Sequence, residues 1–115
     1  MHCMAEPAAT PQRVCRVERH SIRGIDYAIH AWGEPGRATL VCLHGWGDSG
    51  ASFQFLADAM GDDWHSIAPD WRGFGRSSWS RGGYWFPDYL ADLDVLLSIY
   101  TPDEPACVVG HSMGG

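Results

Sequence analysis

The chain has 115 residues, of which 45% are hydrophobic and 12% aromatic, and its formal net charge is −6. This length allows one domain at most, and the composition is that of a globular chain that buries a core rather than of a disordered one. All 8 basic residues are arginines scattered singly. The sequence therefore offers no basic surface for nucleic acid and no lysine for Schiff-base, Walker A or Ser–Lys chemistry.

The cysteines and the N-terminal residues bear on compartment and targeting. The four cysteines form neither a C-x-x-C pair nor a disulfide framework, and Cys42 and Cys107 fall in apolar runs. This predicts small buried thiols in a reducing, cytoplasmic compartment. Residues 1–12 lack an apolar core segment, so we expect a disordered tail rather than a signal peptide or membrane span. No metal site is expected, because His2 and Cys3 have no second pair at ligand spacing.

The first half of the chain predicts a hairpin followed by a buried strand. Residues 14–32 alternate in two bursts around Arg23-Gly24, which indicates an antiparallel β-hairpin. Residues 39–43 are apolar on both sides, as in a strand that is buried on both faces. A loop over 44–50 then precedes apolar residues at helical spacing over 53–60.

The second half alternates between strands and helices. Residues 65–69 predict a strand, 71–83 are loop-like, and a longer helix over 86–100 has Pro87 in its first turn. Asp48 or Ser49 is available to cap the earlier helix. On the longer helix we expect a buried stripe of Phe86, Tyr89, Leu90, Leu93, Leu96, Leu97 and Tyr100, with Asp88, Asp92 and Asp94 towards the positive end.

After the hairpin, the order of elements is strand, helix, strand, helix, strand. This order predicts an α/β fold with a parallel sheet and right-handed crossovers. The last strand, over 106–109, leads directly into the final motif of the chain.

That motif is a serine flanked by glycines, G-x-S-x-G, with Ser112 at its centre. The pattern favours a nucleophile elbow, a sharp turn from strand to helix that exposes the serine oxygen and directs the backbone N–H of Met113 towards a developing oxyanion. Gly110 and Gly114 suit the close approach of the two backbones in such a turn. For this motif alone, a glycine-rich loop with an incidental serine is the alternative.

The loop after the first buried strand permits another interpretation. Gly45, Gly47 and Gly50 match G-x-G-x-x-G, and Asp70 ends the next strand where the ribose-binding acid of an NAD(P)-binding oxidoreductase is expected. Three features count against this Rossmann interpretation. The residue before the first glycine is His44, and the bulky Trp46 would have to lie in the tight turn. In addition, two alternating strands precede the supposed first strand.

Three loops taken together resemble the alpha/beta hydrolase family. They are the His-Gly-Trp-Gly loop at 44–47, the D-x-R-G-x-G-x-S loop at 70–77 and the G-x-S-x-G-G elbow at 110–115, in the family's order and at compatible spacing. The resemblance implies that residues 13–115 are the N-terminal portion of an alpha/beta hydrolase domain. In that portion an antiparallel hairpin precedes the parallel strand-helix-strand-helix-strand units, and the chain stops at the nucleophile elbow.

The resemblance also implies a role for each matching residue. Ser112 matches the nucleophile that carries the acyl group, and Trp46 matches the position whose backbone N–H joins that of Met113 in the oxyanion hole. The Trp46 indole would also wall the acyl pocket. No cofactor is implied, and the implied partner is a small ester-like substrate, with amide or carbon–carbon bonds as further options. Loop-organising positions are matched by His44, Gly45, Asp70, Arg72, Gly110 and Gly114.

The family's catalytic triad continues with an acid and a histidine after the nucleophile. All 6 histidines of this chain precede Ser112, so we expect the 115-residue piece by itself to be inactive and prone to aggregate. A serine at the elbow argues against the family branches that use Asp there, the haloalkane dehalogenases and epoxide hydrolases. A non-catalytic family member that acts as a binding module is the remaining alternative. For Trp79, Tyr84 and Trp85 we expect either a substrate entrance or a structural aromatic cluster.

Overall fold

A computed structural model describes residues 12–115 of the chain. The strands of its sheet are β1 (Arg16–Ile22), β2 (Ile25–Trp32), β3 (Ala38–Leu43), β4 (Trp64–Pro69) and β5 (Cys107–Gly110), in the spatial order β1-β2-β4-β3-β5. The helices are α1 (Gln54–Met60) and α2 (Phe86–Tyr100), and short 3-10 turns span Gly50–Phe53 and Ser112–Gly114. The predicted disordered tail at 1–12 lies outside the described residues except for Gln12, whose backbone N–H donates to Asp58 Oδ2 at 3.1 Å.

The hairpin of β1 and β2 turns where the sequence predicts. Arg23 has a φ of +50° and Gly24 a φ of +80°. Positive φ at both central residues is typical of a type I′ turn, whose twist matches that of antiparallel strands. The ladder runs from Arg16 opposite Ala31 to Ile22 opposite Ile25.

The other strands form the predicted parallel part of the sheet. β3 lies between β4 and β5 and is parallel to both, whereas β2 joins this part through an antiparallel pairing with β4. The helical connections α1 and α2 make the crossovers that parallel neighbours require. Because parallel strands end at one edge, the loops that follow β3, β4 and β5 all begin at the same edge of the sheet.

The core lies on both faces of the sheet. Val41 and Leu43 of β3 belong to a buried cluster that includes Tyr89 and Leu96 of α2, whereas Leu40 and Cys42 pack in a second cluster with Ala57 of α1. Successive side chains of a strand point to opposite faces. This explains why the run at 39–43 is apolar at almost every position.

On α2, the predicted buried stripe is only partly correct. Tyr89 and Leu96 are buried, but Phe86 is 54% exposed and Leu90 57% exposed. Asp92 is buried, and of the three aspartates only Asp88 lies in the first turn. Helical spacing alone does not distinguish the part of the stripe that meets the sheet from the part that extends beyond it.

Two smaller expectations also differ from the structure. Cys107 is exposed because β5 is an edge strand, whereas Cys42 is 1% exposed as predicted. Ser49 occupies the cap position before the first 3-10 turn but makes no side-chain capping bond. The Ser49 backbone N–H donates instead to Asp48 Oδ1 at 2.8 Å.

Candidate active site

Ser112 lies at the sharp turn that follows β5. Its φ is +56°, and its side chain is exposed. A left-handed conformation costs a non-glycine residue about 1–3 kcal/mol and persists only where the surroundings impose it. Three backbone hydrogen bonds hold the turn here, from His111 N–H to Leu43 O at 3.0 Å, from Gly114 N–H to His111 O at 3.0 Å and from Gly115 N–H to Ser112 O at 2.9 Å.

The glycines on either side of Ser112 are required by close backbone contacts. A Cβ built on Gly110 would collide with the carbonyl of Gly114, and one built on Gly114 would collide with the carbonyl of Leu43. These obstacles are backbone atoms, which cannot move aside as a flexible side chain can. The G-x-S-x-G spacing therefore matches a turn that folds back on itself and on the end of β3.

The loop after β3 reaches the elbow. A Cβ built on Gly45 would lie 3.0 Å from Ser112 Cβ and 3.1 Å from the carbonyl oxygen of His111. A side chain at position 45 would therefore press against the serine, so the loop that leads into Trp46 passes close to Ser112. Two of the three family-like loops meet at this point.

His44 is completely buried beneath this loop. Its Nε2 accepts the backbone N–H of Trp71 at 3.0 Å, so Nδ1 carries the proton and donates to Gly45 O at 2.7 Å. Burial lowers the pKa of His44 below its ordinary value. Because both ring nitrogens are engaged and the ring stays neutral, His44 holds the loop and has no nitrogen free to serve as a base for Ser112.

Asp70, at the end of β4, joins three parts of the chain. Its carboxylate accepts the backbone N–H of Gly50 at 2.6 Å, the backbone N–H of Arg76 at 2.8 Å and a hydrogen bond from His30 Nε2 at 3.1 Å. Burial by itself raises the pKa of Asp70, but these donors outweigh it and hold that pKa below its ordinary value. The carboxylate is therefore charged, fully buried and occupied by protein donors.

These contacts remove the basis of the Rossmann interpretation. A dinucleotide site needs the glycine-rich loop's N–H groups for the pyrophosphate and a free acid for the ribose. In this chain, the N–H of Gly50 is taken by Asp70, and Asp70 is 0% exposed. Neither group is free for a dinucleotide.

Arg72 pairs with a residue that sequence reasoning missed. Its Nε and Nη2 donate to the two carboxylate oxygens of Asp92 at 2.6 and 2.7 Å, and the hydroxyl of Tyr27 donates to the same carboxylate. The bond to Asp92 raises the pKa of Arg72, and burial, followed by that carboxylate, raises the pKa of Tyr27. Asp92 lies three residues after Tyr89 and four before Leu96, which puts it on the buried face of α2. This spacing was the signal from which a buried partner for Asp92 could have been predicted.

An aromatic cavity of about 170 Å³ adjoins the loop after β3. Trp46 and Phe74 meet edge to face, with ring centroids 4.9 Å apart. Of the three aromatic residues expected at an entrance, only Tyr84 lines this cavity, while Trp79 and Trp85 are 77% and 69% exposed. The lining consists of Trp46, Gly73, Phe74, Tyr84 and Tyr89.

Within residues 12–115, no histidine nitrogen makes a hydrogen bond to the Ser112 hydroxyl. His111 precedes the serine, and the Gly45 backbone lies against its ring. Over the same residues, neither helix has the length and apolar character needed to cross a bilayer.

Comparison with known proteins places these features in a family. The alpha/beta hydrolase fold family matches residues 38–115. The 3-hydroxybutyrate-oligomer hydrolase of Cupriavidus necator is 37% identical over 91 residues, which cover 76% of this chain and 31% of the relative. The uncharacterized hydrolase YugF of Bacillus subtilis is 34% identical over 104 residues, which cover 90% of this chain and 38% of the relative.

A solved structure gives the same result. The thioesterase domain from the curacin biosynthetic pathway superposes with a TM-score of 0.83 at 30% identity, covering 88% of this chain and 38% of that domain. The chain thus spans about a third of the length of the proteins it matches, and the matched third contains the hairpin, the parallel strands and the elbow. On sequence and on structure alike, the chain belongs to the alpha/beta hydrolase fold family.

Proposed function

We propose that the protein is a serine hydrolase in which Ser112 attacks the carbonyl carbon of an ester and carries the acyl group as a covalent intermediate. The observation that carries this proposal is the exposed serine at a positive φ of 56°, with the Gly45 backbone beside it. Strain at an exposed side chain is typical of a catalytic group held in position by its surroundings. The glycines at 110 and 114 support the same interpretation.

We propose the backbone N–H groups of Trp46 and Met113 as the oxyanion hole. Trp46 follows Gly45, which contacts the serine, and Met113 follows the serine itself at the start of a 3-10 turn. Donors placed where the charge develops stabilise the tetrahedral intermediate without reorganisation, each by about 3–4 kcal/mol. His44, Asp70 and Arg72 would then act on these loops rather than on the substrate.

A serine hydroxyl needs a general base and an acid that orients it. The family resemblance implies that both follow the nucleophile in chain order, so we propose them in the remainder of a longer protein. The 115-residue chain by itself is then inactive.

The aromatic cavity beside Trp46 supports a substrate with an apolar acyl or alcohol group. Its volume of about 170 Å³ suits a small group rather than a long acyl chain. Two relatives are named a 3-hydroxybutyrate-oligomer hydrolase and a thioesterase domain. By analogy with those names we favour an ester or thioester over an amide or a carbon–carbon bond.

We also propose a reducing, cytoplasmic compartment. Cys15, Cys42 and Cys107 are free thiols. Free thiols are usual where glutathione and thioredoxin keep cysteines reduced.

A fluorophosphonate probe tests the nucleophile directly, since it reacts with an activated serine. We expect the full-length protein to be labelled on Ser112, as located by peptide mass spectrometry, and the Ser112→Ala variant to remain unlabelled. Ser98→Ala removes another exposed serine, whose hydroxyl donates to Val95 O at 2.6 Å within α2, and should label like the unaltered protein. A folded, unlabelled full-length protein would instead support the non-catalytic binding module.

A further inference from the structure

A second chain of polar groups lies apart from Ser112. The Sγ atom of Cys15 is 3.7 Å from His30 Nδ1, and His30 Nε2 is 3.1 Å from both carboxylate oxygens of Asp70. His30 is 5% exposed and Asp70 0%, whereas Cys15 is exposed. A thiol at the surface is thus connected through a buried imidazole to a buried carboxylate.

The hydrogen bonds determine which nitrogen of His30 carries the proton. The Asp70 carboxylate, which also accepts two backbone N–H groups, is an acceptor only, so His30 Nε2 must donate to it. In the neutral ring, Nδ1 then has a free lone pair directed at the sulfur. A thiol, a base and a carboxylate that orients the base is the arrangement of a thiol nucleophile with its own general base.

The sulfur also opens onto a cavity of about 270 Å³. Trp32 and Val17 supply apolar wall, and Arg76 adds a positive charge near the thiol. None of the residues around this cavity lines the aromatic cavity beside Trp46. A small anionic molecule with an apolar body fits these walls.

We propose that Cys15, His30 and Asp70 form a reactive-thiol site that takes small anionic disulfides and becomes a mixed disulfide. The site is independent of the proposed hydrolysis at Ser112. Arg76 binds the anionic group of the reagent, and the apolar wall receives its body.

In the reaction, the thiol proton of Cys15 passes to His30 Nδ1 as Sγ attacks one sulfur of the disulfide. The disulfide's S–S bond breaks while the new bond to Cys15 forms. The second sulfur leaves with the electron pair as a thiolate, and the proton on His30 passes to this thiolate when it is basic and to water when, as with a nitrothiobenzoate, it is not. Cys15 is oxidised to the mixed disulfide and the leaving half is reduced, so no further oxidant is needed.

Cys107 offers a matched comparison inside the same chain. It is also an exposed free thiol, but within residues 12–115 it has no hydrogen-bonded histidine. Partial burial of the Cys15 side chain raises the pKa of its thiol and so disfavours the thiolate, which is the reactive form. A base that takes the thiol proton offsets this effect, and His30 is placed to do so.

The experiment treats the full-length protein at pH 7 with 5,5′-dithiobis(2-nitrobenzoate), which is an anionic disulfide, and follows each cysteine by mass spectrometry of acid-quenched samples. We expect Cys15 of the unaltered protein to react at least about tenfold faster than Cys15 of His30→Gln, a variant that can still donate to Asp70, since a positioned general base contributes about 10²–10⁴-fold. The Cys107 rate should be the same in both proteins. Buried Cys42, whose pKa burial raises to about 11, reports on the fold, because it reacts only if the variant unfolds.

The role of the Arg76 charge is tested by comparing the anionic reagent with a neutral disulfide, 4,4′-dithiodipyridine. Arg76→Gln should slow the anionic reagent several-fold and leave the neutral one unchanged, whereas Arg81→Gln, at another exposed arginine, should alter neither. Equal Cys15 rates in the unaltered protein and in a His30→Gln protein that keeps Cys42 protected would overturn the proposal.

Discussion

Ser112 keeps its positive φ because three backbone segments crowd around it. The end of β3 accepts the N–H of His111, the turn closes on the serine's own carbonyl, and Gly45 leaves room for the side chain. Each of these contacts involves backbone atoms. Replacing one of these glycines by a larger residue should therefore disturb the Ser112 conformation more than the loss of any one of these hydrogen bonds would.

The first prediction concerns one of those glycines. Gly114→Ala places a Cβ against the Leu43 carbonyl, so we expect destabilisation by about 1–3 kcal/mol and a large loss of fluorophosphonate labelling at Ser112. Gly82→Ala is the control, because a Cβ there meets nothing within 4 Å; it should label normally and change stability by less than about 1 kcal/mol. Normal labelling of Gly114→Ala would show that the close contact is not needed.

The second prediction is a pH dependence that arises from buried histidines. Burial lowers the pKa of His44 and of His65, so the folded protein keeps both neutral where the unfolded chain protonates them, below about pH 6.5. The unfolded state then binds more protons, and the free energy of unfolding falls as the pH is lowered through this range.

Urea titrations of the full-length protein at pH 7.5 and 5.5 measure this effect. The difference in unfolding free energy between the two pH values should be smaller in the His44→Gln, His65→Gln double variant than in the unaltered protein. Asp and Glu titrate mainly near pH 4 and contribute little in this window. Equal differences in the two proteins would mean that neither histidine is buried in its neutral form.

At the scale of elements, one ion pair ties α2 to the loop after β4. The guanidinium of Arg72 and the carboxylate of Asp92 are both almost completely buried, and Arg23 from the hairpin turn donates to the same carboxylate at 3.1 Å. Phe74 in this loop and Tyr89 on this helix both line the aromatic cavity. The pair therefore sets the distance between two walls of the proposed substrate pocket.

The third prediction follows from the cost of leaving a buried charge unpaired. Asp92→Ala should destabilise the protein by about 3–5 kcal/mol, whereas Asp94→Ala, at an exposed position on the same helix, should change stability by about 0.5 kcal/mol or less. In chemical denaturation, Arg72→Met combined with Asp92→Leu should be more stable than either single change, because the double variant leaves no buried charge unpaired and Arg23, which is partly exposed, still pairs with Asp88. A double variant no more stable than the singles would show that the pair does more than satisfy its own charges.

At the scale of the whole chain, the sheet formed by residues 12–115 has an unpaired edge at β5. Its pairing with β3 uses one side of the strand, and Val108 and Val109 are 46% and 38% exposed. An exposed apolar edge strand is a template for pairing with another chain.

The fourth prediction is that the 115-residue chain expressed alone aggregates and does not hydrolyse p-nitrophenyl acetate through Ser112. Light scattering should fall when Val108→Lys places a charge on the edge. It should not fall for Val14→Lys, which adds the same charge at an 82% exposed residue outside the strands. Turnover that Ser112→Ala abolishes would contradict the prediction of inactivity.

The sequence predicted most of the fold because the relevant signals are local. Alternation around Arg23-Gly24, the apolar run at 39–43 and Pro87 at the start of α2 each report on their own segment. The buried part of α2 was predicted less well, since the exposure of Phe86 and Leu90 depends on how far the helix extends past the sheet. Asp92 was missed because its partners come from the hairpin and the loop after β4.

By itself, the sequence determined the family, the order of the elements and the serine at the glycine-flanked turn. These depend on residue types at short spacings, which constrain the backbone wherever they occur. The family resemblance already implied that the loop at 44–47 meets Ser112. The tertiary structure alone decided that Asp70 is occupied by protein donors and that Cys15 faces His30. Apart from the bond from Arg76 to Asp70, which spans 6 positions, these contacts join residues 15 to 40 positions apart. Such pairings arise only when the sheet brings separate strands and loops together.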